Sequence, residues 1–563
     1  MERWRLSPFG ALTAHFFRRF FEPESDNADS PLRAGIGPVL ALVAMPGGIL
    51  SIVLFRKYSP MVRFFERQTT FNLDAASLPD KFFFLMASVT ATVIVAALRW
   101  ESLFPDRRDF SNLASLPLTL RSIFFAKLLA LAAFATVFIG ALNSISSWLF
   151  PMVALESDGG LEVLVRFVGG QVVAIGAASL CSFCLLLAVV GMLISVLPYG
   201  VFRKLTRYVQ FVVVLTALAG FFLTPAFSPG LEQLRQGHWN EAGRFPAVWF
   251  VAWYYEIQGK ASSEFTFLAG YARNLLWASL AAAGIAYAVS YRAYFLRSAE
   301  ARDIIPSLHS LADRLFPILD RTLFRNGFER GTSRFALKTL FRSDRHAAIL
   351  ALALGTAGSL IMASLVEDPG KAWSVPSVTL LSAPLTLVYF VLAGLRFSFG
   401  LPSELRANWI FQYGVVDAAT NPQRLATKLT TLLLSPVLAL TAATSWVFWG
   451  AATAILHTSF VAMTSLLLCG LIFRDFGILP FTAPGNSSEN PVAKASAFAV
   501  GYFFVVYGLT GIEVFMLRRP VSFGFYYVIA VTAYVLLQRT EDTGRGITYE
   551  APVSSFEQLR LSE

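Results

Sequence analysis

Twelve apolar stretches, each long enough to cross a bilayer, run between residues 36 and 537, and the sequence joining them is short. A membrane-spanning helix needs about 20 predominantly apolar residues. In hydrocarbon every backbone N–H and C=O must be satisfied within its own segment, so stretches of this kind fold as helices. The pattern predicts spans near 36–55, 83–98, 123–149, 167–197, 208–227, 270–295, 346–365, 375–396, 429–455, 458–473, 495–516 and 521–537. Only Leu456 and His457 separate 429–455 from 458–473, so the predicted break there is thin. Hydrophobic residues make up 55% of the chain and charged residues 15%, more apolar surface than a soluble domain of this size can bury. The expected fold is an all-α polytopic membrane protein of about twelve transmembrane helices, with the lipid bilayer as its main solvent.

A formal charge of +10 suggests nucleic acid until the basic residues are placed. The stretch 297–345 carries ten Lys or Arg, and 99–127 carries Arg99, Arg107, Arg108, Arg121 and Lys127, while 150–165 carries none. This asymmetry follows the positive-inside rule, puts both basic stretches in the cytoplasm, and argues against nucleic-acid binding. An even number of spans then makes both termini cytoplasmic. One loop resists: 56–82, with Arg56, Lys57, Arg63, Arg67 and Lys81, falls outside on this scheme. Residues 1–24 have charges interrupting the apolar run and no small-residue cleavage site, which does not fit a cleaved signal peptide. Cys181, Cys184 and Cys469 all lie in predicted spans, where packing fits them better than redox chemistry.

The chain also repeats itself. Ala11-Leu12-x-x-x-Phe16 recurs as Ala336-Leu337-x-x-x-Phe341 at an offset of 325, each with arginines close behind and each just before a span. An apolar face backed by basic residues predicts a helix lying in the membrane interface. After the second span of each half comes a second repeated element. Glu101 leads through Arg107, Arg108, Asp109 and Pro117 to Arg121 and Lys127, and Glu404 leads through Arg406 to Arg424 and Lys428. Glu101 to Glu404 is 303 positions and Lys127 to Lys428 is 301. The shorter offset has a cause, because the loop 56–82 is 19 residues longer than its counterpart 366–373. These offsets predict two six-helix repeats, each with an interfacial amphipathic helix, over residues 1–300 and 301–538, followed by a flexible cytoplasmic tail at 539–563. The competing explanation is that any two cytoplasmic loops hold Glu, Pro, Arg and Lys.

A six-helix unit with an interfacial helix, a hairpin, a cytoplasmic amphipathic segment and four more spans resembles one half of an ABC exporter permease of the type 2 class. Three phrases carry the likeness: Leu116-Pro117-Leu118-x-x-Arg121-x-Ile123-x-x-Ala126-Lys127, Phe104-Pro105-Asp106-Arg107-Arg108-Asp109 and Pro246-Ala247-Val248-Trp249-Phe250. It is strongest over 99–130 and weaker in the second half, where Val415-Val416-Asp417-Ala418 stands in place of a Pro-rich stretch. The resemblance implies a subunit of the bacterial cytoplasmic (inner) membrane that moves a small or lipid-like substrate outward. It implies ABC ATPase subunits as partners, with ATP and Mg bound on them and no cofactor in this chain. The sequence agrees on that point, having no Gly-x-x-x-x-Gly-Lys-Ser/Thr loop and no cytoplasmic stretch long enough for an ATPase domain. In the family the segment between the second and third helices docks on the ATPase. That role would fall to Glu101, Arg107, Arg108, Asp109, Pro117, Arg121 and Lys127, and to Glu404, Arg406, Arg424 and Lys428; charges that merely anchor spans at headgroups are the plain alternative.

Trp249, Trp253 and Tyr254 belong to the loop 228–266, which the resemblance makes a set of short re-entrant helices near an exit gate and which an aromatic belt explains equally well. Glu513 falls inside the eleventh span, where an ionised group is costly and needs a cavity or a partner. Gln171, Asn143 and Asn274 suit hydrogen bonds between helices. The histidines His15, His238, His309, His346 and His457 are scattered, with no catalytic or metal-binding motif among them. Two other classes remain open: an ion-coupled secondary transporter, which needs buried ionisable groups in both halves, and a non-transporting membrane enzyme or scaffold.

Overall fold

A computed structural model describes residues 8–20, 36–58, 73–104, 119–154, 160–300, 323–324, 326–367, 375–403, 421–474, 476–482 and 491–541. Helices and the turns joining them account for the described residues, with no strand among them. The chain divides into two compact units, Met1–Ile304 and Ile305–Glu563.

The first unit opens with α1 (Pro8–Arg19), whose Leu12 and Phe16 are buried while Arg18 and Arg19 occupy the last turn. Apolar positions four apart share one face of a helix, and that face packs on α4. Just beyond α1, Phe20 stacks on Phe134 of α4 with ring centroids 4.8 Å apart. There follow α2 (Ile36–Tyr58), α3 (Leu73–Leu98), a 3-10 turn (Trp100–Leu103), α4 (Leu120–Ala154), α5 (Leu161–Val196) and α6 (Tyr199–Phe222). Next come α7 (Thr224–Arg235), a 3-10 turn (Glu241–Arg244), α8 (Pro246–Ile257) and α9 (Ser263–Glu300). Helices α5 and α9 pack closely, so that a Cβ on Gly191 would meet the Ala286 backbone at 3.1 Å. Small residues of this kind let membrane helices approach to backbone contact.

Two sequence expectations for this unit need correction, at the second and the fourth spans, while 228–266 does hold short helices. The second span starts at Leu73 rather than near 83, so the loop assigned to 56–82 includes about a helical turn of α2 and more than two turns of α3. The stretch 228–266 is largely helical, with α7 turning 61° away from α6. The fourth helix is not a plain α-helix, because residues Gln171–Ile175 form a π turn.

The second unit contains α10 (Gly327–Arg342), α11 (Asp344–Glu367), α12 (Val378–Phe399), α13 (Pro422–Ile472), α14 (491–518) and α15 (Ser522–Glu541). The break in α13 is at Gly450, with φ 79°, and not at Leu456-His457. That backbone conformation has little steric cost only for glycine. The break makes two arms, 422–449 and 451–472, and puts His457 inside the second. A π turn interrupts α14 at Phe503–Tyr507. Buried residues of α12, among them Leu385, Val388, Leu392 and Leu395, line the centre of the unit's core. Tyr389 of α12 donates to Phe498 O of α14 at 2.7 Å.

Among the described residues, seven helices are long and apolar enough to cross a membrane, or eight if the bent pair α6–α7 counts as one span. The chain is therefore an all-α, multi-pass membrane protein. The tail beyond residue 541 lies outside the described residues.

Candidate functional site

Arg107, Arg108, Asp109, Pro117, Glu404 and Arg406 lie outside the described residues. Glu101 sits on the 3-10 turn that follows α3, and Arg121 is exposed in the first turn of α4. Lys127 is buried; its Nζ donates to Phe104 O at 2.9 Å and lies 5.2 Å from the centre of the Phe16 ring. This one side chain fastens α4 to the end of the 3-10 turn and to the amphipathic α1. In the second unit Arg424 is exposed on α13, while Lys428 pairs with Glu329 of α10 at 2.8 Å. In each unit, then, the lysine marked by the repeat contacts the amphipathic helix of its own unit.

A second cluster occupies the short-helix end of the first unit. Tyr254 OH donates to Gln171 Oε1 at 2.8 Å, joining α8 to the π turn of α5, and Tyr255 OH donates to Asp74 O at 2.8 Å. Trp249 Nε1 donates to Gly243 O at 2.7 Å, and the Trp253 ring lies 6.0 Å from the Arg273 guanidinium. Tyr254 is buried, and Trp249 and Trp253 are half-buried. These rings therefore hold the short helices together, where a simple belt would leave them facing lipid. Ion pairs ring the cluster: Lys260 with Asp74 at 2.8 Å, Lys57 with Asp80 at 2.8 Å, and Arg273 with Glu256. Tyr58 OH also bonds Asp80.

At the centre is Lys81, only 2% exposed, which the sequence had suggested would lie in a loop. Its ammonium donates to Gln258 Oε1 at 2.9 Å and stands 4.0, 4.9 and 5.2 Å from the ring centres of Tyr255, Phe167 and Tyr254. Three aromatic faces around one cation are a cation–π cage. The Pro79-Asp80-Lys81 run hides this site from hydropathy, since it reads as the end of a loop.

The two units differ at membrane depth. In the first, Asn143 Nδ2 donates to Ser88 Oγ at 2.8 Å and Ser88 Oγ lies 2.7 Å from Ser179 Oγ, a neutral network across α3, α4 and α5. Asn143 and Gln171 thus bond between elements, whereas Asn274 is exposed on α9. In the second unit His457 Nδ1 meets Glu513 Oε1 at 2.5 Å, with both side chains at most 1% exposed. The histidines are therefore not all without company. The available signal was two ionisable residues inside apolar helices, and the misplaced break at Leu456-His457 concealed it. Among the described residues, no group of three His, Cys, Asp or Glu is placed to hold a metal ion. No family model, curated protein or solved structure matches the chain.

Proposed function

We propose that this chain is the permease subunit of an ATP-driven ABC exporter of the type 2 class. On this reading α2–α6 and α9 are six spans of one half, and α11, α12, the two arms of α13, α14 and α15 are six spans of a fused second half. Both termini face the cytoplasm of a bacterial inner membrane. ATPase subunits in trans bind ATP and Mg, and an unidentified small or lipid-like substrate moves outward.

The observation that carries this reading is the order of elements in Met1–Ile304: an amphipathic helix, two long helices, a segment basic in sequence, three more long helices, a pair of short helices and a last long helix. Motion delivered to the segment after α3 has a mechanical route inward. Phe104 O is held by Lys127 on α4, and the Phe104 ring lies 5.2 Å from Tyr287 of α9, so a push there reaches α1, α4 and α9 together. The short helix α8, tied to α3 and α5 through Asp74, Lys81 and Gln171, fits an outer gate together with α7.

The test is purification of the tagged full chain from its own membranes in mild detergent, with identification of co-purifying subunits and an ATPase assay. A stoichiometric soluble ATPase, whose turnover loses its link to the permease when Arg107, Arg108 and Asp109 become alanine, is the expected result. A chain that purifies alone, without ATPase activity, turns the assignment to a second reading, an ion-coupled secondary transporter. The buried His457–Glu513 pair favours that second reading, and the neutral Asn143–Ser88–Ser179 network in the other unit weighs against it.

A further inference from the structure

The His457–Glu513 pair has an unusual proton inventory. His457 Nε2 and Glu513 Oε2 are both buried without a hydrogen-bond partner, and so is the neighbouring Thr458 Oγ1. Nδ1 and Oε1 are close enough to require one hydrogen between them. With that hydrogen alone, the pair is a neutral imidazole beside a carboxylate and carries one negative charge. An isolated anion at such a site is prohibitively costly. A second proton, on Nε2, makes the pair neutral overall, whether written as imidazolium with carboxylate or as imidazole with carboxylic acid.

Among the described residues, no other charged group is paired with it to neutralise the charge. The pair's titratable neighbour on α15 is Tyr526, whose hydroxyl bonds Thr464 Oγ1 at 2.7 Å, and beside it Tyr527 bonds Ser459 Oγ at 2.5 Å. Tyr502 and Tyr507 lie earlier on α14 itself, with Tyr502 OH 3.4 Å from Thr386 Oγ1 of α12 and Tyr389 of α12 bonded to Phe498 O. On the side of α13 the Trp449 ring faces His457 edge-on at 5.7 Å. Among the described residues no Lys, Arg or Asp pairs with either group.

Backbone irregularities bracket the site. His457 lies seven residues after the Gly450 break and Glu513 five residues before the end of α14 at Arg518, so at 1.5 Å per residue the pair is about 8–10 Å below one end of the helices. The π turn Phe503–Tyr507 lies within two turns on the other side of Glu513. Such turns in an α-helix are frequent at functional sites.

We propose that His457 and Glu513 form a proton-binding site: one exchangeable proton from the aqueous phase forms an N–H bond at His457 Nε2, while Nδ1 stays against Glu513. Its departure leaves a buried negative charge. The site therefore keeps its proton while the second arm of α13 is packed on α14, and releases it when they part at the Gly450 end. The proposal stands whether or not an ATPase drives the chain.

The experiment is infrared titration of the full chain in lipid nanodiscs between about pH 5 and about pH 9, a range that brackets histidine chemistry. Wild type is compared with His457→Gln, Glu513→Gln and Glu513→Asp, each checked for helical content and a single elution peak. The expected result is one imidazole component, isolated as wild type minus His457→Gln because four other histidines also absorb, that titrates as one proton, moves to lower pH in Glu513→Gln and persists in Glu513→Asp. If His457→Gln does not fold, the displacement in Glu513→Gln alone carries the test. Ring bands identical in wild type and His457→Gln, or a titration that Glu513→Gln leaves in place, would overturn the proposal.

Discussion

Lys81 shows how a charge can be both hidden from hydropathy and held inside the protein. An ammonium has three hydrogens to direct, and here one goes to Gln258 Oε1 while the cation faces the rings of Tyr255, Phe167 and Tyr254. Burying it costs solvation that the cage only offsets, so an apolar side chain of similar length should fit at no loss. Lys81→Met is expected to leave the thermal midpoint of the detergent-solubilised chain unchanged or higher. Gln258→Ala keeps the buried cation and removes its acceptor, at a cost of about 2 kcal/mol. Denaturation curves for both variants check this, and equal destabilisation by the two would mean the caged cation contributes net stability. The sequence could not disclose the cage, because its parts are far apart: Gln258 is 177 residues from Lys81, and Asp80 finds Lys57 across 23 residues. His457 and Glu513, by contrast, were legible as types. Each is an ionisable residue in an apolar run, and only their pairing across 56 residues required the fold.

Helices were legible wherever lipid-facing residues made a long apolar run, and their ends were not. Hydropathy measures what a segment would cost in hydrocarbon, so it stopped α3 at the Asp80-Lys81 pair although the backbone continues back to Leu73, its polar side chains satisfied by partners elsewhere. It is equally blind to the π turns in α5 and α14, which change backbone hydrogen bonding without changing composition. The α13 break turns on a single glycine. With no heavy atom within 4 Å of a Cβ placed on Gly450, only its φ of 79° opposes a side chain. Gly450→Ala and Gly450→Asn are therefore both expected to fall below wild type by about 1–3 kcal/mol through backbone strain, since φ 79° with ψ 171° is a region essentially restricted to glycine and lies outside the left-handed helical basin that asparagine tolerates. Chemical denaturation of the full chain measures the loss, and an alanine variant as stable as wild type would mean the two arms can join as one continuous helix. Lys428 offers a second element-level test. Its pair with Glu329 is partly exposed, so a double-mutant cycle with both residues changed to alanine should give a coupling of about 0.5–1 kcal/mol. A coupling near zero would leave α10 attached to α13 by apolar contact alone.

At the scale of the molecule, the repeat offsets of 325 and about 302 concern only the order of elements along the sequence, whereas the chain contains two compact units, Met1–Ile304 and Ile305–Glu563. Each has its own buried aromatic-rich interior: Phe82, Phe150, Tyr254 and Phe265 at one end of the first with Trp100, Phe104 and Tyr287 at the other, and Phe399, Phe460, Phe473 and Phe523 in the second. The units are not copies in detail, since the first carries short helices before its last long helix and the second has only a turn between α14 and α15. A unit that buries its own core should not need the other to fold in the membrane. Residues 1–304 and 305–563 produced as separate chains are thus each expected in the membrane fraction, helical and resistant to brief proteolysis. The second chain should also retain the His457 titration, because Trp449 and Tyr526, which lie beside the pair, belong to it. Recovery of the second chain only when the first is present would mean that α11 to α15 depend on contacts beyond their own core. Recovery without the titration would mean that the second unit folds alone but α14 no longer seats Glu513 against His457.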